Sequence, residues 1–329
     1  MQIGPLKFDP IFCYRIWGGE KLKTLLKKDY QDTSIGESWE ISAVDGFETR
    51  VSEGPHTGNT LTQLIERFKG DLLGEKVYKD FGTEFPLLIK YIDAARPLSI
   101  QVHPNDELAR ERHDSFGKNE MWYIMGADEA AELIIGFNQD VNGDQYEILL
   151  QNNDLMKVMN AQTVRAGDAF YIPTGRVHAI GAGVLLAEIQ QTSDVTYRIY
   201  DYDRVDSKTG QKRELHTEQA KDAIDFELHE SYRTEYPQKA NVAIQLIHSP
   251  YFKTDILILD SRMERDLSGR DSFVIYMCVE GDAELHVNDM VFILKLGETI
   301  LIPAECEKIH LNSDGCRPVS YTHLTLPTK

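Results

Sequence analysis

Between Leu98 and His103 apolar and polar residues alternate, with Leu98, Ile100 and Val102 set against Ser99, Gln101 and His103. A period of two predicts a strand with one apolar and one polar face. Pro104 lacks a backbone donor and ends it. The polar face then presents a hydroxyl, an amide and an imidazole in a row. The same alternation predicts a strand over 35–42, and apolar runs predict strands over 85–93 (hairpinned to the stretch that follows it), 120–125, 170–172 and 184–191. Helical spacing of Leu61, Leu64, Ile65, Phe68, Leu72 and Leu73 predicts a helix over 60–81, broken near Gly70. Shorter helices are expected at 20–28, 105–112 (capped by Asn105 or Asp106), 143–159 and 218–226. From 242 onward a second set of strands is expected at 242–247, 252–259, 272–279, 283–287, 291–294 and 299–302. The chain therefore reads as mainly β, with its helices decorating the first half.

The two halves share a motif. Gly167-Asp168-Ala169-Phe170-Tyr171-Ile172-Pro173 is followed by Gly175 and His178, a turn, a short strand, a second turn and the start of another strand. Gly297-Glu298-Thr299-Ile300-Leu301-Ile302-Pro303 repeats the pattern 130 residues later, with Glu305 in place of Gly175 and Lys308 in place of His178. An internal repeat of one architecture is the economical reading. The second copy lacks the turn glycine and the imidazole, and is expected to be structural.

Charge narrows the chemistry. The 329 residues carry a formal net charge of −18, without a stripe of Lys and Arg, which argues against a nucleic-acid partner. An acidic protein that takes an anionic substrate must gather cations locally. Lys90, Arg96, Lys118, Arg198 and Arg204 lie near the segments singled out above. No apolar run is long enough to span a membrane, and the first residues lack the pattern of a secretory signal, so a cytoplasmic location is expected. Cys13, Cys278, Cys306 and Cys316 are scattered without metal-type spacing and are expected to be buried, reduced thiols.

Gln101, His103, Glu120 and His178 bring together one amide, two imidazoles and one carboxylate. Two histidines and a carboxylate suit zinc with an open position or a non-haem ferrous site. Lys118 stands two residues before Glu120. Glu188 interrupts an apolar strand, where a carboxylate is either paired or poised for proton transfer.

The Gly167–His178 motif resembles the second signature of the cupin superfamily, although Ala182 stands where that signature has an asparagine. In place of the first cupin signature the chain has Gln101-Val102-His103-Pro104 and Lys118-Asn119-Glu120. With Tyr14-Arg15-Ile16-Trp17-Gly18-Gly19 and Gly36-Glu37-Ser38-Trp39, these segments resemble the short bacterial form of the type I mannose-6-phosphate isomerases along roughly the whole chain. The resemblance implies two cupin-type (jelly-roll) β-barrels, a catalytic domain over 1–235 and a metal-free cupin-like domain over 236–319. The last ten residues, 320–329, resemble a non-native tail. It implies one Zn2+ per chain held by Gln101, His103, Glu120 and His178, and a small phosphorylated sugar as partner. No nucleic acid, membrane or obligate protein partner is implied. Lys90 and Ser99 match positions that contact the substrate's phosphate or line its pocket. Arg198 matches the family's catalytic arginine, and Arg204 stands where the family commonly has a lysine. Lys118 and Arg198 are expected to stabilise charge on substrate oxygens, and Glu188 is the first candidate for the base. A ferrous cupin oxygenase and a non-catalytic sugar-binding cupin are the alternatives.

Overall fold

The structure, a computed structural model, describes residues 3–313 and 315–323. The first half is two packed sheets. A six-stranded sheet runs in the order Ala169–Ile172, Glu120–Ala127, Val184–Gln191, Leu87–Ala94, Ile11–Gly19, Ile35–Ile41. A five-stranded sheet runs Met159–Thr163, Glu132–Phe137, His178–Ile180, Ile100–Val102, Tyr197–Tyr200. Trp122, Ile124, Phe170 and Leu186 of the first meet Leu133, Ile135 and Ile180 of the second in one apolar core. The second half repeats the arrangement with a five-stranded and a four-stranded sheet. Among the described residues no strand joins the edges of paired sheets. The barrels expected from the sequence are here open sheets packed face to face.

The two halves share a third core. Leu87, Ile89, Tyr91, Met121 and Ile189 point away from the first sandwich and pack on Phe252, Ile256, Ile275, Met277 and Val319 of the second. Strands buried on both faces read as unbroken apolar runs, which is why 85–93 and 184–191 show little alternation. Each such fully buried side chain contributes about 1.5–3 kcal/mol.

Strand register makes the internal repeat concrete. Ile172 pairs with Glu120, and 130 residues on Ile302 pairs with Val274. His178 pairs with Gln101, whereas Lys308 pairs with Asp266. Lys90, Glu188 and Trp122 stand in a row across three strands, and Asp255, Ser320 and Tyr276 form the equivalent row. The second copy thus keeps the frame with Val274, Asp266 and Lys308 where the first has Glu120, Gln101 and His178.

Several elements differ from expectation. The strand Leu87–Ala94 does not hairpin with Ile100–Val102; the chain crosses through Pro97 to the opposite sheet, where Leu98 N–H donates to the Ile180 carbonyl. The helix expected over 60–81 is three short helices, broken at Lys69 and Gly74, both at positive φ. Its start is firm, because Thr60 and Gln63 form a reciprocal capping box. The helix Gly143–Gln151 ends early, and a 3₁₀ turn over Leu155–Val158 leads Met159 into a strand. Arg317–His323 runs past the expected boundary at 319 and pairs with Phe252–Leu257 and Val274–Glu280 through His323. The remainder of the expected tail, 324–329, lies outside the described residues.

Candidate metal centre

Four segments converge between the two sheets of the first sandwich. Gln101 and His178 are register partners on adjacent strands. His103 follows the first of these, and Glu120 opens a strand of the facing sheet. Gly175, at φ 85°, closes the turn that presents His178, a conformation that glycine adopts without strain. Its N–H donates to the His103 carbonyl, tying two ligand segments together.

The ligand-type atoms face one another. His103 Nε2 lies 3.2 Å from Glu120 Oε1, and His178 Nε2 lies 3.7 Å from Glu120 Oε2. The Gln101 amide stands 3.3 Å from His178 Nε2; its oxygen and nitrogen are interchangeable by a flip of the amide. Donors bonded to one tetrahedral ion at about 2.1 Å stand about 3.4 Å from each other, so this spacing is that of a coordination shell. The outer nitrogens are fixed: His103 Nδ1 faces the Val195 carbonyl at 3.0 Å and His178 Nδ1 the Arg176 carbonyl at 2.8 Å. Nδ1–H donation to those carbonyls leaves each Nε2 lone pair aimed inward, the arrangement that orients metal-binding imidazoles.

Electrostatics agrees. Burial, with the Lys118 charge, pushes the His103 imidazole down to about 3 against the pull of Glu120. Burial likewise lowers His178. Both rings are therefore neutral near pH 7. Burial alone would raise Glu120, but the Lys118 charge outweighs it and holds the carboxyl well below its usual range. Both Glu120 oxygens are fully buried and accept no hydrogen bond. Lys118 Nζ is 2.9 Å from Oε1, close without being aligned for one. A buried carboxylate without directed donors is costly, and a divalent cation removes that cost. The donor set fits zinc.

The site opens into a cavity of about 1020 Å3, lined among others by Arg15, Glu37, Lys90, Ser99, Gln101, Lys118, Arg198 and Arg213. Arg198 is half-buried; its Nη1 donates to the Glu214 carbonyl at 2.8 Å, and its Nε has no partner. Lys90 forms part of the cavity floor and is otherwise buried, with Gln190 Oε1 at 2.7 Å, Glu188 Oε2 at 3.1 Å and Glu37 Oε2 at 3.9 Å.

Two of the expected site residues lie off the cavity wall. Glu188 does not line the cavity: one oxygen accepts from Trp122 Nε1 at 2.9 Å and the other pairs with Lys90. A base must reach the proton it removes; here Glu188 is held by Trp122 and Lys90 one contact below the cavity. Burial and the Glu120 charge raise its pKa, yet it stays committed to Lys90. Arg204 also turns away from the cavity. It donates to Asp201 Oδ1 and to the Pro97 carbonyl, and covers the Tyr202 ring. Arg96, the remaining cation singled out by the sequence, does not line the cavity either.

Sequence reasoning passed over Arg15, Glu37 and Arg213. Arg15 donates through Nε and Nη2 to the two oxygens of Glu37 at 3.0 and 2.9 Å. Burial would raise Glu37, but Lys90 and Arg15 prevail and hold it at about 2. The signal was present in Gly36-Glu37-Ser38-Trp39: a Cβ on Gly36 would lie 2.5 Å from the Trp17 ring, so only glycine lets these strands close and aim Glu37 inward. Arg213 lies in an irregular segment without periodicity and gave no signal.

Glu188→Ala should destabilise the fold by about 3 kcal/mol, the low end for breaking a buried ion pair, because Gln190 and Glu37 still face Lys90. Urea unfolding reads this, and Glu188→Gln should recover part of the loss through the Trp122 hydrogen bond.

Comparison with known proteins places the whole chain. Residues 6–138 match the family model for the phosphomannose isomerase type I catalytic domain, and 243–322 match the mannose-6-phosphate isomerase cupin domain. Mannose-6-phosphate isomerase ManA of Bacillus subtilis is 34% identical over 325 residues, covering 94% of this chain and 100% of that protein. The crystal structure of the mannose 6-phosphate isomerase from Bacillus subtilis superposes with a TM-score of 0.87 at 30% identity, covering 97% of this chain and 99% of the other. A zinc-bound mannose 6-phosphate isomerase shares the fold at a TM-score of 0.79 and 18% identity, covering 98% and 100%. With a catalytic-domain match ahead of a cupin-domain match, and a full-length relative more than 30% identical, this chain belongs to the type I phosphomannose isomerase family.

Proposed function

We propose that the protein is a zinc-dependent isomerase that interconverts mannose 6-phosphate and fructose 6-phosphate through an enediolate. The observation that carries this is the buried Glu120 carboxylate, without an aligned hydrogen bond, facing two neutral imidazoles behind the Gln101 and Lys118 side chains that line a cavity with cations on its wall. The family membership supports the substrate, and the donor set supports zinc. The division into a catalytic unit over 1–235 and a metal-free unit over 236–319 is part of the proposal, and it is supported by the loss of ligand residues from the second copy.

Gln101, His103, Glu120 and His178 would hold the ion. When bound, zinc supplies a Lewis acid for the substrate oxygens without redox chemistry of its own. A base takes the proton from one carbon, which leaves negative charge on the neighbouring oxygens, and returns it to the other carbon; Glu188, whose pKa burial raises, is the carboxylate proposed for that transfer. Arg198, held from behind by the Glu214 carbonyl, donates to one of those oxygens. Lys118 Nζ, beside Glu120 and 3.4 Å from His103 Nε2, holds a proton at the other. Fixed donors aimed at developing charge are commonly the largest single contribution to catalysis. Ser99 closes the wall beside Gln101. The buried chain Arg15–Glu37–Lys90–Glu188 fixes the floor under the sugar through alternating charges.

A chelator tests the metal assignment. Protein freed of metal should lose turnover of mannose 6-phosphate in a coupled assay and regain it with Zn2+, without oxygen. Full activity of metal-free protein would overturn the zinc reading, and a requirement for oxygen would overturn the isomerase.

A further inference from the structure

Asp201, 5% exposed, carries two arginines. Arg213 donates through Nε to Oδ2 at 2.8 Å and through Nη2 to Oδ1 at 2.6 Å, while Arg204 donates to Oδ1. Only Arg213 lines the cavity. Its guanidinium is held along one edge, which leaves the Nη1 donors for a ligand; a fork fixed in this way is suited to an oxyanion. Of the other cations on the wall, Arg198 keeps an unpartnered Nε and Arg110 is exposed, while three are engaged. Arg15 spends Nε and Nη2 on Glu37 and Nη1 on the Tyr14 carbonyl. Lys90 is enclosed by Gln190, Glu188 and Glu37, and Lys118 stands against Glu120.

Arg213 is also tied to Arg198. His216 N–H donates to the Arg198 carbonyl at 2.7 Å, and the Glu214 carbonyl accepts from Arg198 Nη1. Burial first and the Arg213 charge second push the Arg198 guanidinium below its usual value. Two guanidinium groups side by side on one wall repel each other unless an anion lies between them. The spacing suits a sugar phosphate. His178, Gln101 and Arg198 are neighbours across one sheet, and the segment that bears Arg213 follows them. Two inter-strand steps of about 4.8 Å separate His178 from Arg198, and the Arg213 segment is joined to Arg198 beyond them; a six-carbon chain with a terminal phosphate and one arginine side chain bridge that span together.

We infer that Arg213, fixed by Asp201 at the cavity rim, is the residue that binds the substrate's phosphate, in the place expected for Arg204 and Lys90. The inference rests on the sugar-phosphate isomerase reading above. Arg213→Ala, Arg213→Lys and Arg204→Ala separate it from that reading. For Arg213→Ala, KM for mannose 6-phosphate should rise about 10- to 100-fold, the range for losing a charged hydrogen bond, with kcat within about threefold. Calorimetric titration of metal-loaded protein with inorganic phosphate, which needs no turnover, should show binding weakened in the same proportion. Arg213→Lys should fall between, and Arg204→Ala should leave phosphate binding near wild type. Wild-type KM and phosphate binding in Arg213→Ala would overturn the inference. So would a fall in kcat alone, which would mean that the segment acts only by placing Arg198, or an equal loss in Arg204→Ala, which would mean that Asp201 merely braces the loop. If wild-type protein fails to turn over the sugar phosphate, the isomerase reading falls, while the phosphate titration still decides the role of Arg213.

Discussion

His103→Ala is expected to empty the metal centre and lower turnover by about a thousandfold or more, about 4 kcal/mol of transition-state stabilisation. His103 is 1% exposed and anchored to the Val195 carbonyl. Its loss removes one donor, and the space left opens beside the Glu120 carboxylate and Lys118 Nζ. Lys118, already 2.9 Å from Glu120 Oε1, can then close on it further and compete against a cation. Metal content measured by mass spectrometry should fall with activity, while urea unfolding of the zinc-free proteins should differ little between wild type and variant. Retained zinc together with wild-type turnover would remove His103 from the ligand set.

Arg198→Ala should act differently: zinc is retained and kcat falls by about 10²- to 10³-fold, the range for removing one preorganised donor to a developing oxyanion. Arg198 pairs in register with Gln101 on the side away from His178, and its side chain is held through the Glu214 carbonyl. Arg198→Lys should recover little, because an ammonium cannot both reach that carbonyl and present a flat edge to the substrate. Steady-state kinetics with parallel metal analysis checks both variants. A loss of zinc in Arg198→Ala would mean that the side chain supports the metal shell rather than the substrate.

The ligand-type residues were legible in the sequence because each sits where local geometry is dictated locally. Pro104, Gly175 and the two-residue alternation at Ser99, Gln101 and His103 fix which way these side chains point. The internal repeat was legible for the same reason, and strand register extends it to Val274 and Asp266. What stayed hidden depends on pairing between distant strands. Glu188 looks like a free carboxylate in an apolar run until Lys90 is found beside it in register. Arg204 and Arg213 are indistinguishable as residue types nine positions apart in a polar segment, and only the placement of Asp201 shows which faces the cavity. Open sheets rather than barrels, and the passage of the chain from one sheet to the other at Pro97, follow from long-range contacts that no local period encodes.

The most direct test is anomalous scattering at the zinc edge from crystals of the active protein. One peak is predicted within bonding distance of His103 Nε2, His178 Nε2 and a Glu120 oxygen, with the Gln101 amide turned toward it. A fully active crystal form with no peak there, or with its metal held elsewhere, would contradict the account.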